Sequence, residues 1–339
     1  MTKAQRKHRR KIAILGGGSW GTALGVVFSE RHEVLIWEFD AAQAKQVEKE
    51  RRNTIFLPKI KLPDNMHITN DMALCIANAD VVVFAVPSHV LRQTAVQAAL
   101  YTTKKQYLVS VVKGVEQNTL MRMSEVIQEC IPESKGVIAL LGPTHAEEVA
   151  NGLPSTIVAS CVDHKHATAI QKLFITPRFR IYTNTDMIGS EISSALKNVI
   201  AIAAGICDGL NYGDNTKAAV ITRGLAEIKR LGLKMGADPV TFSGLTGMGD
   251  LIVTCMSRHS RNRKVGMMLG RGRSLEDILE SMQQVAEGVK NTKSALSLAK
   301  KYKVELPVAA AVHQILFDKL KPRDISGLLM TRSPKSEFY

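Results

Sequence analysis

The chain of 339 residues has no C-x-x-C pair, and its five cysteines, Cys75, Cys130, Cys161, Cys207 and Cys255, are scattered and odd in number. That pattern excludes a disulfide framework and fits reduced thiols in a cytoplasmic location. No His/Cys cluster has ligand spacing, so no metal is expected. No unbroken apolar run approaches the length of a membrane span, and no membrane insertion is expected. The start, MTKAQRKHRRK, is basic but lacks the apolar core of a secretory signal. Aromatic residues make up only 5%. With no helix-turn-helix signature either, a nucleic-acid-binding reading finds little support. Internal repeats and low-complexity tracts are absent.

What is present is ordinary globular material, 45% hydrophobic and 22% charged. The length suggests two domains. The net charge of +14 is uneven: residues 1–11 hold six Lys/Arg and no acid, and residues 197–339 hold 22 basic against 13 acidic residues. A basic C-terminal half suits an anionic ligand. The N-terminal run reads more simply as a solvated basic arm.

The most informative stretch is Gly16-Gly17-Gly18-Ser19-Trp20-Gly21, directly behind the apolar run Ile12-Ala13-Ile14-Leu15. Strand, glycine turn and helix start in that order make a surface for dinucleotide phosphates. Gly16 allows the tight turn, Gly18 lets backbone approach a pyrophosphate, and Gly21 lets the helix lie close on the strand. NAD or NADP is the cofactor this implies.

The first half alternates strand and helix patterns. Strands are expected over 11–15, 33–37, 80–86, 107–112, 136–141, 155–159 and 180–183. Helices are expected over 19–29, 41–52, 71–78 and 90–100, with a loop carrying Pro58 and Pro63 between the second and third. The succession predicts an α/β fold with a mainly parallel, doubly wound sheet. From residue 190 the pattern changes. Residues 190–210 have small and apolar residues on several faces, as in a helix buried between domains. Helices over 216–231, 261–269, 290–301 and 308–320 follow, with no convincing strand. The expected organisation is a basic arm (1–10), a dinucleotide-binding domain (11–189) and an all-α substrate domain (190–339), with residues 332–339 a loose tail.

Several side chains stand where chemistry is feasible. Glu38 ends the second strand, 22 positions after Gly16, where a carboxylate can accept from ribose hydroxyls and would repel a 2′-phosphate. Lys197 lies in the apolar helix. It either snorkels to solvent or, partly buried, serves as an acid or base near neutral pH. Lys113, and Gly142 with Thr144, follow strand ends, where ligands bind in open parallel sheets; both also read as plain loop residues. Ser260, Arg261, Asn262 and Arg263, just before a helical run from Lys264, could form an anion site or a solvated basic turn. Asp250 could hold a lysine or a hydroxyl, or cap a helix.

Taken together, GGGSWGTAL, FAVPSH, VVKGVE, GPTHAEE, ALKNVIAIAAGICDGL, GMGDLIVTC, SRNRKVG and VAEGVKNT occur in this order. The chain resembles the bacterial-type NAD(P)-dependent glycerol-3-phosphate dehydrogenases over about residues 11–330. The resemblance implies a Rossmann-like N-terminal domain, an all-α C-terminal domain, and interconversion of dihydroxyacetone phosphate and sn-glycerol 3-phosphate for phospholipid synthesis. It also implies roles. Lys197 is the proton donor and acceptor, and Lys113 touches substrate and cofactor. Gly142, Thr144, Asp250, Ser260, Arg261 and Asn262 bind substrate. Ser19, Trp20, Phe39, Ala146, Arg261, Val285 and Glu287 contact the dinucleotide. A homodimer is the expected assembly. Two departures stand out. His145 follows GPT where the family carries an apolar residue. Trp37-Glu38-Phe39-Asp40 lacks the Arg or His of many bacterial members and is closer to the NAD-using eukaryotic enzymes. The competing reading is a hydroxy-acid or imine reductase on the same fold; the SRNR cluster argues against it, because those substrates carry no phosphate.

Overall fold

The computed structural model describes residues 9–282, 284–324, 334, 336 and 337. Residues 1–8 of the basic arm, and all of the expected tail except 334, 336 and 337, lie outside them.

Ten strands are described: β1 (Lys11–Leu15), β2 (Glu33–Trp37), β3 (Arg52–Asn53), β4 (Leu57–Lys61), β5 (Met66–Thr69), β6 (Val81–Phe84), β7 (Tyr107–Ser110), β8 (Val137–Leu141), β9 (Ser155–Ser160) and β10 (Phe179–Asn184). Eight form one sheet in the order β10-β9-β8-β7-β6-β1-β2-β5. Both faces are covered, so β6 is apolar at every position and β1 at every position after Lys11. Ile12, Ile14, Val81 and Val83 pack into one core, and Ala13, Leu15, Val82 and Phe84 into the other. This is the two-residue alternation of a sheet buried on both sides.

Two features differ from the expectation. The loop with Pro58 and Pro63 contains the antiparallel pair β3–β4 and then β5, which extends the sheet parallel to β2. Its proline-interrupted, charge-rich residues hide the apolar period. Second, β8 and β9 run antiparallel. Their connection holds only the five-residue helix Ala146–Ala150, and the chain returns alongside β8 instead of crossing over. The helices Met123–Cys130 and His164–Phe174 are additional to those expected.

From residue 187 onward the described residues are helical, without strands. The Met187–Leu210 helix is the axis of this half. Averaged over a window, it is apolar and long enough to cross a membrane, yet 83% of that stretch is buried inside the protein. The Gly213–Lys234, Asp250–Met256, Arg261–Gly270, Glu287–Tyr302 and Pro307–Phe317 helices pack around it. It meets the Arg261–Gly270 helix backbone to backbone. A Cβ on Gly205 would stand 2.0 Å from the Arg263 carbonyl oxygen, and one on Gly266 2.0 Å from that of Ile202. This close crossing places the start of the second helix near Lys197.

The two halves are joined by buried and half-buried polar contacts. Glu191 of the long helix accepts from the Ser124 amide at 2.8 Å and its hydroxyl at 2.6 Å, and pairs with Arg122. Glu287 accepts from the Ser88 amide at 3.0 Å and its hydroxyl at 2.5 Å.

Candidate active site

Strand order reverses between β1 and β6, which opens a crevice at their C-terminal ends. A cleft of about 540 Å³ begins there and runs to the Met187–Leu210 helix. Gly16, Gly18, Ser19, Trp20, Glu38, Phe39, Lys113, Thr144, Ala146, Lys197, Ser260, Arg261, Asn262, Val285 and Glu287 all line it.

At one end Gly16 turns the chain with φ +123°, and a Cβ there would lie 2.7 Å from the Ala85 carbonyl oxygen. Gly21 is not a lining residue; it supports the turn from behind, where a Cβ would meet the Gly16 carbonyl at 2.0 Å. Nothing lies within 4 Å of a Cβ built on Gly18, so backbone and the N-terminus of the Ser19–Ser29 helix face open space. Asn53 stabilises the turn, donating to the Gly17 carbonyl at 2.7 Å and the Thr22 hydroxyl at 2.9 Å. The Glu38 carboxylate lies over Gly17 and accepts from the Asp40 amide at 3.1 Å. Burial raises its carboxyl above the ordinary range. Phe39 is 76% exposed at the rim. The Trp20 Nε1 is buried without a partner. An open glycine, a helix N-terminus and a carboxylate at the end of the second strand fit the pyrophosphate and ribose of a nicotinamide dinucleotide.

At the other end three charged side chains form a chain. Lys113 Nζ donates to the Asp250 carboxylate at 2.9 Å and to the Gly142 carbonyl at 2.9 Å. The second Asp250 oxygen accepts from Lys197 Nζ. Lys197 also donates to the Thr254 hydroxyl at 2.7 Å, which donates to the Asp250 carbonyl at 2.6 Å. Lys197 is 4% exposed and Asp250 1%. Burial pushes the Lys197 ammonium from its ordinary 10.5 down to about 7; Asp250 opposes that shift and Lys113 adds to it. Lys197 therefore does not snorkel. Asp250 and Gly142 are not lining residues: both underlie the cleft and hold its lysines.

The helix begins at Arg261, as the expected 261–269 span has it, so Arg261 and Asn262 stand inside its first turn rather than ahead of it. Ser260 is its N-cap, its hydroxyl accepting from the Arg263 amide at 3.2 Å. The first helical turn thus borders the cleft. Arg261 donates to the Val285 carbonyl at 3.2 Å. Asn262 donates to Asn198 at 2.9 Å and accepts from the Gly288 amide at 2.9 Å, so its amide is fixed by protein partners.

Asn53, Ser88, Asn198, Thr254 and Asn291 belong to this constellation and escape a reading of the sequence. Only Thr254 carries a usable signal: it stands four residues after Asp250, on the same helix face. His145 also lines the cleft. Its Nε2 is buried and unpartnered, its ring lies 5.9 Å from that of His259, and burial lowers its pKa. Among the described residues no group of three or more His, Cys, Asp or Glu side chains could hold a metal.

The family model for the NAD-dependent glycerol-3-phosphate dehydrogenase N-terminus matches residues 11–167, and that for the C-terminus residues 186–326. A glycerol-3-phosphate dehydrogenase [NAD(P)+] of Lysinibacillus sphaericus is 49% identical over 331 residues, covering 97% of this chain and 98% of the relative. The enzyme of that name from Bacillus subtilis is 49% identical over 332 residues, covering 97% and 96%. Among solved structures, the glycerol-3-phosphate dehydrogenase of Coxiella burnetii superposes with a TM-score of 0.92 at 32% identity, covering 96% of this chain and 99% of that one. Sheet, cleft, buried lysine chain and full-length similarity agree: the chain belongs to the NAD-dependent glycerol-3-phosphate dehydrogenase family.

Proposed function

We propose that the protein interconverts dihydroxyacetone phosphate and sn-glycerol 3-phosphate with NAD(H) or NADP(H). The observation that carries this is Lys197, buried, bonded to Asp250 and Thr254, and facing the same cleft as the Ser260–Asn262 turn. A bound nicotinamide dinucleotide supplies or takes up the hydride. Lys197, as ammonium, protonates the oxygen of the carbonyl being reduced; as amine, it accepts that proton in the reverse direction. Asp250 and Lys113 set its charge and position. Arg261, with the first amides of its helix, grips the phosphate. Lys113 and Thr144 flank the remaining hydroxyls. Ser19, Trp20, Phe39, Ala146, Val285 and Glu287 border the dinucleotide, and Glu287 also locks to Ser88. Residues 11–189 serve as the dinucleotide domain and 190–339 as the substrate domain. The reading extends to a cytoplasmic homodimer, without membrane insertion, supplying glycerol 3-phosphate for phospholipid synthesis.

Arg261→Ala tests the phosphate grip. It is expected to raise KM for dihydroxyacetone phosphate by about 10–100-fold, the loss of one hydrogen-bonded charge, and to leave kcat/KM for unphosphorylated dihydroxyacetone nearly unchanged. Equal losses on both ketones would favour a reductase of unphosphorylated hydroxy acids or imines. Glu38 decides between the cofactors: its carboxylate repels a 2′-phosphate, so NADH is expected to exceed NADPH in kcat/KM. Glu38→Ala should narrow that ratio, and an unchanged ratio would remove Glu38 from the ribose site.

A further inference from the structure

The Glu287–Tyr302 helix presents a polar stripe to the other half of the molecule. Glu287, Asn291 and Ser294, at helical spacings of four and three, reach Ser88, Lys113 and Val115 respectively. Asn291 differs from its neighbours in the stripe. It is 1% exposed, and its single amide nitrogen donates twice, to the Lys113 carbonyl at 3.2 Å and to the Ala195 carbonyl at 3.1 Å. Lys113 follows β7 of the sheet half; Ala195 stands two residues before Lys197 on the axial helix of the other half. One side chain thus ties together the backbones that carry both lysines of the cleft. Space around it is tight, since a Cβ on Gly114 would lie 3.3 Å from its Oδ1 and 2.5 Å from the Ser88 Cβ.

We infer that Asn291 is a positioning residue: by holding the Lys113 and Ala195 carbonyls on one amide, it sets the separation of the Lys113 and Lys197 ammonium groups across Asp250. The inference rests on the function proposed above and assigns Asn291 no contact with substrate. Its physical basis is that buried donors bonded to two carbonyls are costly to remove, because both acceptors are left unpaired. A small displacement of a group near the reacting atoms is also amplified in the rate.

Loss of the tether has a signature that loosened packing would not produce. The titratable groups around Lys197 are Asp250 and Cys255 from the Asp250–Met256 helix, Lys113 from the loop after β7, and His145 from the loop after β8. Of these, the Lys113 charge depresses Lys197. Freed from Asn291, Lys113 moves off and the Lys197 pKa rises.

The test measures kcat for dihydroxyacetone phosphate reduction against pH in the full-length enzyme, for wild type, Asn291→Leu and Ser294→Ala. Asn291→Leu is expected to lower kcat by about 10–100-fold, to leave KM for the reduced dinucleotide unchanged, and to move the alkaline limb to higher pH. Ser294→Ala removes a bond of the same stripe that holds neither lysine, and should leave that limb in place. If Asn291→Leu does not fold, Asn291→Ser, too short to span both carbonyls, carries the same expectation. An unmoved limb in the folded Asn291 variant, or an equal shift in Ser294→Ala, overturns the inference while leaving the proposed function standing. Absence of wild-type turnover removes both.

Discussion

Lys197→Ala is expected to lower turnover by about 10²–10⁴-fold, the usual weight of a positioned proton donor, with the dinucleotide affinity unchanged. The turn at Gly16 to Gly21 lies at the opposite end of the cleft and makes no contact with this lysine, so binding there is independent of it. The pH dependence has a definite sign. Burial pushes the Lys197 ammonium down to about 7. Reduction needs the ammonium, so its rate is full below that value and falls as pH rises through it; oxidation of the alcohol needs the amine and shows the reverse. Steady-state rates at several pH values, together with dinucleotide binding followed by tryptophan fluorescence, check both parts. Near-wild-type turnover in the alanine variant would end the assignment.

Asp250→Asn is expected to be the second most damaging change. The carboxylate is 1% exposed and lies between two lysines. Its charge raises the Lys197 pKa against burial. An amide of the same shape removes that support, so the Lys197 pKa falls further. The alkaline limb of reduction should move to lower pH, opposite to the shift expected for Asn291→Leu, and kcat at pH 7 should drop by about 10–100-fold, as expected when the proton donor is mostly lost and displaced. Rates that fall equally at all pH values, with no movement of the limb, would show that Asp250 acts by packing alone.

How much was legible varies with the distance over which each feature is encoded. The glycine turn could be read because its meaning lies in six successive residues and their flanks. Glu38 could be placed because the end of an apolar strand locates it. Lys197 drew attention as a charge in an apolar helix, yet its burial depends on what covers that helix. Its partner Asp250 is 53 positions away, and Lys113 lies 137 from Asp250. No periodicity joins such distances. The helix after Ser260 could be placed to start at Arg261 from its local pattern, but that Ser260 caps it and that its first turn borders the cleft is visible only in the structure. Asn291 carried no signal: an asparagine on a helix is unremarkable until its two acceptors are known.

The sequence by itself determined the local units: apolar runs that must be strands, the turn that only glycine can make at φ +123°, and a long helix apolar on several faces. These follow from backbone sterics and hydrophobic period, which act over a few residues. Only the tertiary structure decided that β8 and β9 run antiparallel, that Gly205 and Gly266 bring two helix backbones into contact, and that Lys113, Asp250 and Lys197 meet. Those outcomes depend on packing between distant segments. The burial that lowers the Lys197 pKa is a property of the assembled core rather than of any stretch of chain.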